Sequence, residues 1–437
     1  MKRNLRPRQL LVISYGTINL VGTLLLALPW ASAQTGSSAL LQAWFTATSA
    51  LTVTGLIVVT TSTHWTLFGQ SVILVLMQIG GLGLMVLTTV FLSALGLRIH
   101  LGQRVLVAQD RNHFDISGIL SLVRSIVLLT LVLEGIGIVL MALLLPEIWN
   151  EGWGRGIFFV AFHAVSAFNG AGFDLTGQSL EPYRLHLGLN LVFIVLILLG
   201  SLGYVVLQEM LVLRRWQRPS LHSRLVLWVT GGITLFGSAF YFLTEYHHTL
   251  AALSLEHKIV TSLFQAVTRT AGFTTVPLSA WNEPFIFLMI LMMFIGASPG
   301  SVGGGIKTTT FGTILLAVWA IARGSKEVVI FEREISSESV AKAFTVTVIA
   351  LLLVSSSTLT LMITEKLPFM PVLFEVVSAM ATVGLSMGVT QHLSTFGQVL
   401  VGLLMFVGRI GVLSLVLLLA EKEYRRLRYM KEEILIG

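Results

Sequence analysis

The sequence predicts an all-α membrane protein with eight transmembrane crossings and four re-entrant helices related by a pseudo-fourfold axis. Three observations predict it. The chain of 437 residues is 55% hydrophobic and 11% charged, with a mean hydropathy of +0.86, too apolar for a soluble globular fold. One spaced pattern recurs three times, as Phe45-x-x-x-Ser49-Ala50-x-x-x-x-Gly55, Phe162-x-x-x-Ser166-Ala167-x-x-x-x-Gly172 and Phe374-x-x-x-Ser378-Ala379-x-x-x-x-Gly384. A tighter fourth copy runs from Phe264 to Gly272. Lys and Arg segregate strongly to one side of the crossings.

Apolar runs able to cross a bilayer, which takes ~20 residues, occur near 10–30, 68–96, 119–145, 187–213, 222–244, 285–322 (interrupted), 343–364 and 397–420. The first mimics a secretory signal, with Lys2, Arg3, Arg6 and Arg8 before it and Ala31-Ser32-Ala33 after. Its run from Leu10 to Leu28 is longer than the ~7–15 residues of a signal core, so it reads as a retained span. Between the members of each successive pair lies one glycine segment. Its helical part, such as Ser38–Ala50 or Pro368–Met380, is too short for a core of ~30 Å. Each segment therefore dips in and returns. The repeats divide the chain at 1–97, 98–214, 215–323 and 324–437.

Eight crossings place 21 of the 28 basic residues on the side of the two termini and the loops near 97–124, 214–224 and 323–342. Only Arg155, Arg184, Lys258 and Lys366 fall on the other. This is the positive-inside pattern, which makes both termini cytoplasmic and brings the glycine segments in from outside. The net charge of +7 is then an orientation signal that also meets anionic lipid headgroups, and no nucleic-acid partner is needed to explain it. Cys is absent, which removes disulfides, thiolate metal sites and thiol chemistry.

Irregular backbone at membrane depth is tolerated only where it lines water or is buried in protein. Four such strands meeting on an axis can replace the water shell of a dehydrated cation with carbonyl oxygens. The predicted lining is Val53-Thr54-Gly55, Gly170-Ala171-Gly172, Thr270-Ala271-Gly272 and Thr382-Val383-Gly384. All four triplets lack acids, which points to a monovalent ion held by carbonyls rather than a divalent ion held by carboxylates. A single glycine in a membrane helix is more often a helix contact. Four at matching positions defeat that explanation.

The sixth crossing is interrupted by a run from Gly296 to Gly305 that includes Ser298, Pro299, Gly300, Gly303 and Gly304, and Lys307 follows it. Such a run cannot hold a helix when Gly costs ~1 and Pro ~3 kcal/mol relative to Ala. A non-helical loop at membrane depth lines the path and is soft enough to act as a gate. The bland alternative is an exposed loop between two re-entrant helices. Arg409, central in the last crossing, must face a cavity or a buried partner. It either raises the barrier to cations below the strands or ties carbonyls freed by the broken sixth helix. Glu134 reads as the buried partner of another group or a protonated acid, Arg269 as a brace for its own strand, and Asp174 as a loop acid near the mouth. Lys307 is given no firm role.

The strings TVTGL, NGAGF, RTAGF and ATVGL, the loop ASPGSVGGGIKTTTF and the GRIG of the last crossing resemble the Ktr/Trk/HKT superfamily of potassium transporters over nearly the whole chain. Leu10–Leu28 leads directly into the first short helix, which is most similar to the membrane subunits of bacterial Ktr systems. The resemblance implies K+ as the transported ion, Na+ as an activator, a bacterial inner membrane location and a homodimer with one pore per protomer. It further implies a cytoplasmic, KtrA-like nucleotide-binding ring and a gate formed by Gly296–Lys307 with Arg409. Gly170 departs from related second filters, which carry a larger polar residue there, and an extra glycine is expected to loosen that quarter of the ring.

Two rival classes share some of these features. A secondary transporter that couples K+ to Na+ or H+ also uses broken helices and repeats, but four copies in one orientation favour a fixed axial path. An intramembrane enzyme needs paired catalytic groups. His163 and Glu375 share one position in two short helices, yet Thr46 and Gln265 fill it in the others, and no H-E-x-x-H or nucleophile elbow occurs.

Overall fold

The computed structural model describes residues 7–33, 39–83, 119–213, 216, 219–325 and 327–411. Expectations for the far ends of the second and last crossings, for most of the basic loop after residue 96 and for the C-terminal tail fall outside them. Within the described residues the fold is almost wholly helical, with one short hairpin, Val328–Ile330 (β1) paired antiparallel to Arg333–Ile335 (β2).

Four times the chain runs a helix, a short helix, an extended strand and a further helix. The first set is α1 (Pro7–Leu26), α2 (Leu40–Leu51) and α3 (Leu67–Leu82). The second is α4 (Ile119–Leu144), α5 (Trp153–Phe168) and α6 (Leu187–Leu202). The third is α7 (Leu221–Glu245), α8 (Leu255–Val267) and α9 (Glu283–Phe294), followed across a break by α10 (Thr308–Ala322). The fourth is α11 (Ser337–Glu365), α12 (Phe369–Met380) and α13 (Thr395–Ile410).

Burial sorts these helices by role. The short helices α2, α5, α8 and α12 bury their C-terminal halves, with Phe45, Phe162, Phe264 and Phe374 all within 1% of full burial. The recurrent Phe is therefore a core anchor. In contrast, α4, α7 and α11 expose Leu131, Leu143, Leu235, Leu243, Leu352 and Ile363, as lipid-facing helices do when no aqueous solvent penalises the exposure. These three helices are long and apolar enough to cross a bilayer.

Packing between the sets is cyclic. The last helix of each set contacts a short helix of the next, as α3 on α5, α6 on α8, α9 on α12 and α13 on α2. The last contact closes the circle.

The crossing expected over 187–213 is not straight. Its helix stops at Gly203 and resumes over Tyr204–Val212 after a bend of 104°. Gly203 takes a φ of +89°, and Gly83 and Gly411 end α3 and α13 in the same way at +81° and +88°. Hydropathy registers an unbroken apolar run at such a place, whereas the backbone conformation that breaks the helix depends on one glycine.

Candidate functional site

Each extended strand is tied to the end of its own short helix. The amides of Thr54, Ala171 and Val383 donate to the carbonyls of Ser49, Ser166 and Ser378 at 2.8, 2.7 and 2.9 Å. The serine hydroxyls complete the tie. Ser49 Oγ accepts from the Gly55 amide and Ser378 Oγ from the Gly384 amide, both at 3.0 Å, while Ser166 Oγ donates to the Phe173 carbonyl at 2.7 Å. In the tighter copy, third in chain order, Thr268 takes this place and its hydroxyl donates to the Phe273 carbonyl. The serine of the repeated pattern is thus a strand brace, which accounts for its fixed spacing from the glycine.

The four glycines that follow adopt φ of +88°, +70°, +69° and +97° at Gly55, Gly172, Gly272 and Gly384. Each lies against the strand of the next set. A Cβ placed on Gly55 meets the Ala171 carbonyl oxygen at 2.2 Å, one on Gly172 meets that of Ala271 at 2.8 Å, one on Gly272 meets that of Val383 at 2.4 Å, and one on Gly384 meets that of Thr54 at 2.0 Å. First lies on second, second on third, third on fourth and fourth on first. The predicted triplets therefore come together in a closed ring.

Positive φ also occurs two residues earlier in three strands, at Val53 (+53°), Gly170 (+63°) and Thr382 (+50°). Gly170 consequently does not loosen its strand. It occupies a left-handed position that Val53 and Thr382 hold at a steric cost of roughly 1–2 kcal/mol each, and only the tighter third strand avoids that conformation at Thr270.

A second repeat, missed in the sequence reading, lies where the inner helices end. Gly80-Gly81-Leu82-Gly83, Gly200-Ser201-Leu202-Gly203 and Gly408-Arg409-Ile410-Gly411 share the form G-x-(L/I)-G. The leading glycine of each lets the helix press on the end of a short helix. A Cβ there falls 2.0 Å from the Leu51 oxygen, 1.8 Å from the Phe168 oxygen and 2.0 Å from the Met380 oxygen. In the third set the corresponding string is Gly296-Ala297-Ser298-Pro299, and the chain continues into the glycine-rich loop. The signal was present in three of the four sets as a short string about 24 to 28 residues after the strand glycine.

That loop sits under the ring. Its amides at Ser298 and Val302 donate to the Ser201 and Gly200 carbonyls at 3.1 and 3.4 Å, and its Gly300 carbonyl accepts from the Tyr204 amide at 3.1 Å. The Gly304 amide donates to Thr382 Oγ1 at 2.8 Å, and Val302 Cγ2 lies 3.6 Å from a Cβ placed on Gly170. Gly300 and Gly305 are left-handed, a Cβ on Gly303 meets that of Ala297 at 2.7 Å, and the Pro299 oxygen lies 2.6 Å from a Cβ on Gly203. Lys307 folds back, its Nζ donating to the Gly303 carbonyl at 2.6 Å. Ser298 Oγ accepts from Thr308 Oγ1 at 2.9 Å.

Arg409 grips this loop. Its Nη1 donates to the Val302 carbonyl and its Nη2 to the Gly80 carbonyl, with Gly81 O at 3.5 Å. The guanidinium fork thus joins the loop to the end of α3. Arg269 differs from expectation, because it braces the end of α9 and not its own strand. Fully buried, its Nη1 donates to Ile295 O at 2.9 Å, Gly296 O at 3.0 Å and Met292 O at 3.4 Å. Arg269 takes carbonyls at the start of the break, and Arg409 takes one from within it at Val302, as its expected tie to freed carbonyls requires. Arg269→Ala is expected to lower thermal stability in detergent by ~3 kcal/mol or more, since each buried acceptor left unpaired costs about 1–3 kcal/mol.

Glu134 is buried on α4, where its carboxylate accepts from Asn169 Nδ2 at 2.9 Å and Gln78 Nε2 at 3.1 Å. It links the residue before Gly170 to the turn of α3 that holds Arg409. Asp174 is committed to a turn, accepting from Thr176 Oγ1 and the Gly177 amide at 2.7 and 2.6 Å. Nearby in the loop before α6, burial raises the Glu181 carboxyl above its ordinary range, an effect that the Arg184 charge opposes.

Comparison with known proteins follows the same lines. The cation transport protein family TrkH matches residues 9–426. The chain is 40% identical to the Ktr system potassium uptake protein B of Bacillus subtilis, covering 99% of this chain and 97% of that one. It is 36% identical to the protein of the same name from Vibrio alginolyticus, covering 99% and 95%. Identity is 34% to the potassium/sodium uptake protein NtpJ of Enterococcus hirae, covering 100% and 98%. The crystal structure of the potassium transporter TrkH from Vibrio parahaemolyticus superposes with a TM-score of 0.75 over 97% of this chain and 87% of that one, at 20% identity, which establishes a common fold. Matched along nearly its whole length, the chain belongs to the TrkH family of cation transport proteins.

Proposed function

We propose that this chain is the membrane subunit of a potassium uptake system, in which dehydrated K+ passes through a ring of backbone carbonyls. The observation that carries the reading is the closed circle of contacts among the four glycine strands, each glycine abutting the carbonyl before the next. Left-handed residues alternate along three strands, at 53 and 55, 170 and 172, and 382 and 384. Such alternation turns successive carbonyls to one side, as a coordinating strand requires. The curated relatives named for potassium uptake support the ion.

In this reading the filter comprises residues 53–55, 170–172, 270–272 and 382–384, within four repeats and eight crossings whose basic side is cytoplasmic. The loop 296–307 lies beneath it as the gate, held shut by Arg409. The membrane is the bacterial inner membrane. Each protomer of a homodimer carries one pore, and a KtrA-like nucleotide-binding ring docks on the cytoplasmic face. Sodium serves as an activator, a role to which the potassium/sodium relative from Enterococcus hirae lends support.

Purified protein in liposomes is expected to take up Rb+ down an imposed gradient with no added reactant, and Na+ poorly. Uptake strictly stoichiometric with Na+ or H+ movement would instead favour alternating access.

A further inference from the structure

The residue that follows the repeated Phe is variable in type, yet the structure gives three of its four occurrences one task. His163 Nε2 accepts from the Leu175 amide at 3.3 Å. Gln265 reaches Thr274 Oγ1 and Thr275 Oγ1 at 3.3 and 3.1 Å. Glu375 accepts from Ser386 Oγ at 2.6 Å and from the Thr390 hydroxyl. In each case a side chain buried within the short helix holds the chain two or more residues beyond the strand glycine, from behind. The first set lacks the strut. Thr46 is buried with its hydroxyl unpartnered, and its strand continues into the apolar Leu56, Ile57 and Val58.

We propose that Glu375 is a selectivity-determining positioning residue that sets the outer end of the ring at the seam between the fourth and first strands. This rests on the potassium-filter reading above. Strand 1 has no strut of its own and meets strand 4 where Gly384 lies over the Thr54 carbonyl, so the geometry of that seam depends on how strand 4 is held. Glu375 is fully buried, and its two oxygens each accept from one hydroxyl, Ser386 and Thr390. Thr390 Oγ1 lies 3.0 Å from Ser386 Oγ, and Ser386 Oγ accepts from the Gly388 amide at 3.1 Å. The carboxylate thus fixes the whole turn 386–390 rather than one atom. These bonds fasten the chain that leaves strand 4 to its own short helix, two residues beyond the glycine that abuts strand 1.

The test compares Glu375→Ala, Glu375→Gln and Ser386→Ala with wild type in proteoliposomes, reading the ratio of Rb+ to Na+ uptake. Glu375→Ala is expected to lower the ratio about tenfold, which is ~1.4 kcal/mol. Glu375→Gln is expected to restore most of it, because an amide offers one acceptor and a donor that two rotatable hydroxyls can satisfy. Ser386→Ala, which removes one bond from the loop side and leaves the short helix intact, is expected to fall between wild type and Glu375→Ala. A wild-type ratio in the two alanine variants would overturn the proposal while leaving the filter reading intact, and so would a Glu375→Gln ratio as low as that of Glu375→Ala. Wild-type vesicles without preference for Rb+ would overturn the filter reading and the proposal together. A role in folding alone would lower yield and uptake of both ions equally, leaving the ratio unmoved, and that result also counts against it.

Discussion

Arg409→Ala is expected to raise Rb+ uptake by about 10- to 100-fold, the scale of releasing one or two charge-assisted hydrogen bonds at ~1.5 kcal/mol or more each. The guanidinium joins the Val302 carbonyl of the loop to the Gly80 carbonyl at the end of α3. Cutting that tie frees the loop from one wall while its amide bonds to Gly200 and Ser201 persist. On the proposed gate reading two contributions act together, a clamp and a positive charge below the ring, and Arg409→Lys separates them. Lysine keeps the charge but cannot span two carbonyls with a fork. If the clamp dominates, the lysine variant conducts nearly as well as alanine; if the charge dominates, it stays near wild type. Unchanged flux in the alanine variant contradicts the gate assignment.

Gly55→Ser is expected to lower the Rb+ to Na+ uptake ratio about tenfold or more. Its Cβ meets the Ala171 oxygen at 2.2 Å in a left-handed conformation. No flexible side chain lies in the way to yield, because the obstacle is neighbouring backbone that itself belongs to the ring. Strand 1 must therefore retreat or strand 2 must turn, and on the proposed filter reading either displaces a coordinating oxygen. Left-handed geometry adds roughly 1–2 kcal/mol for any residue with a Cβ. The ring further predicts an order. Alanine is most disruptive at Gly384, where the clash is 2.0 Å, and mildest at Gly172, where it is 2.8 Å. Equal ratios across the variants, or a reversed order, argue against tight contact between adjacent strands.

The sequence made the ring legible because its requirement is local and repeated. A glycine at a fixed distance from a Phe and a Ser-Ala pair, found at Gly55, Gly172 and Gly384 and in tighter form at Gly272, marks one chain reversal four times. The broken sixth crossing was equally plain, because Gly and Pro at 296–305 forbid a helix by their own chemistry. Partners were not legible. Arg269 and Arg409 both had to bind something, yet which carbonyls each would reach depends on helices 23 to 329 residues away in the chain. The bend at Gly203 and the helix ends at Gly83 and Gly411 were hidden because an apolar run scores alike whether straight or broken. Their common string, G-x-(L/I)-G, carried that information. Position 375 shows the opposite limit, since its side-chain type varies among the four copies while three of them reach the same part of the chain.

The central claim is that four main-chain bends hold a bare monovalent cation on one axis. Anomalous diffraction from crystals grown in Rb+ tests it most directly. The account predicts density inside the ring formed by Gly55, Gly172, Gly272 and Gly384, flanked by the carbonyls of Thr54, Ala171, Ala271 and Val383. Rubidium bound instead only at the break of 296–305, or absent from the ring at saturating concentration, would contradict it.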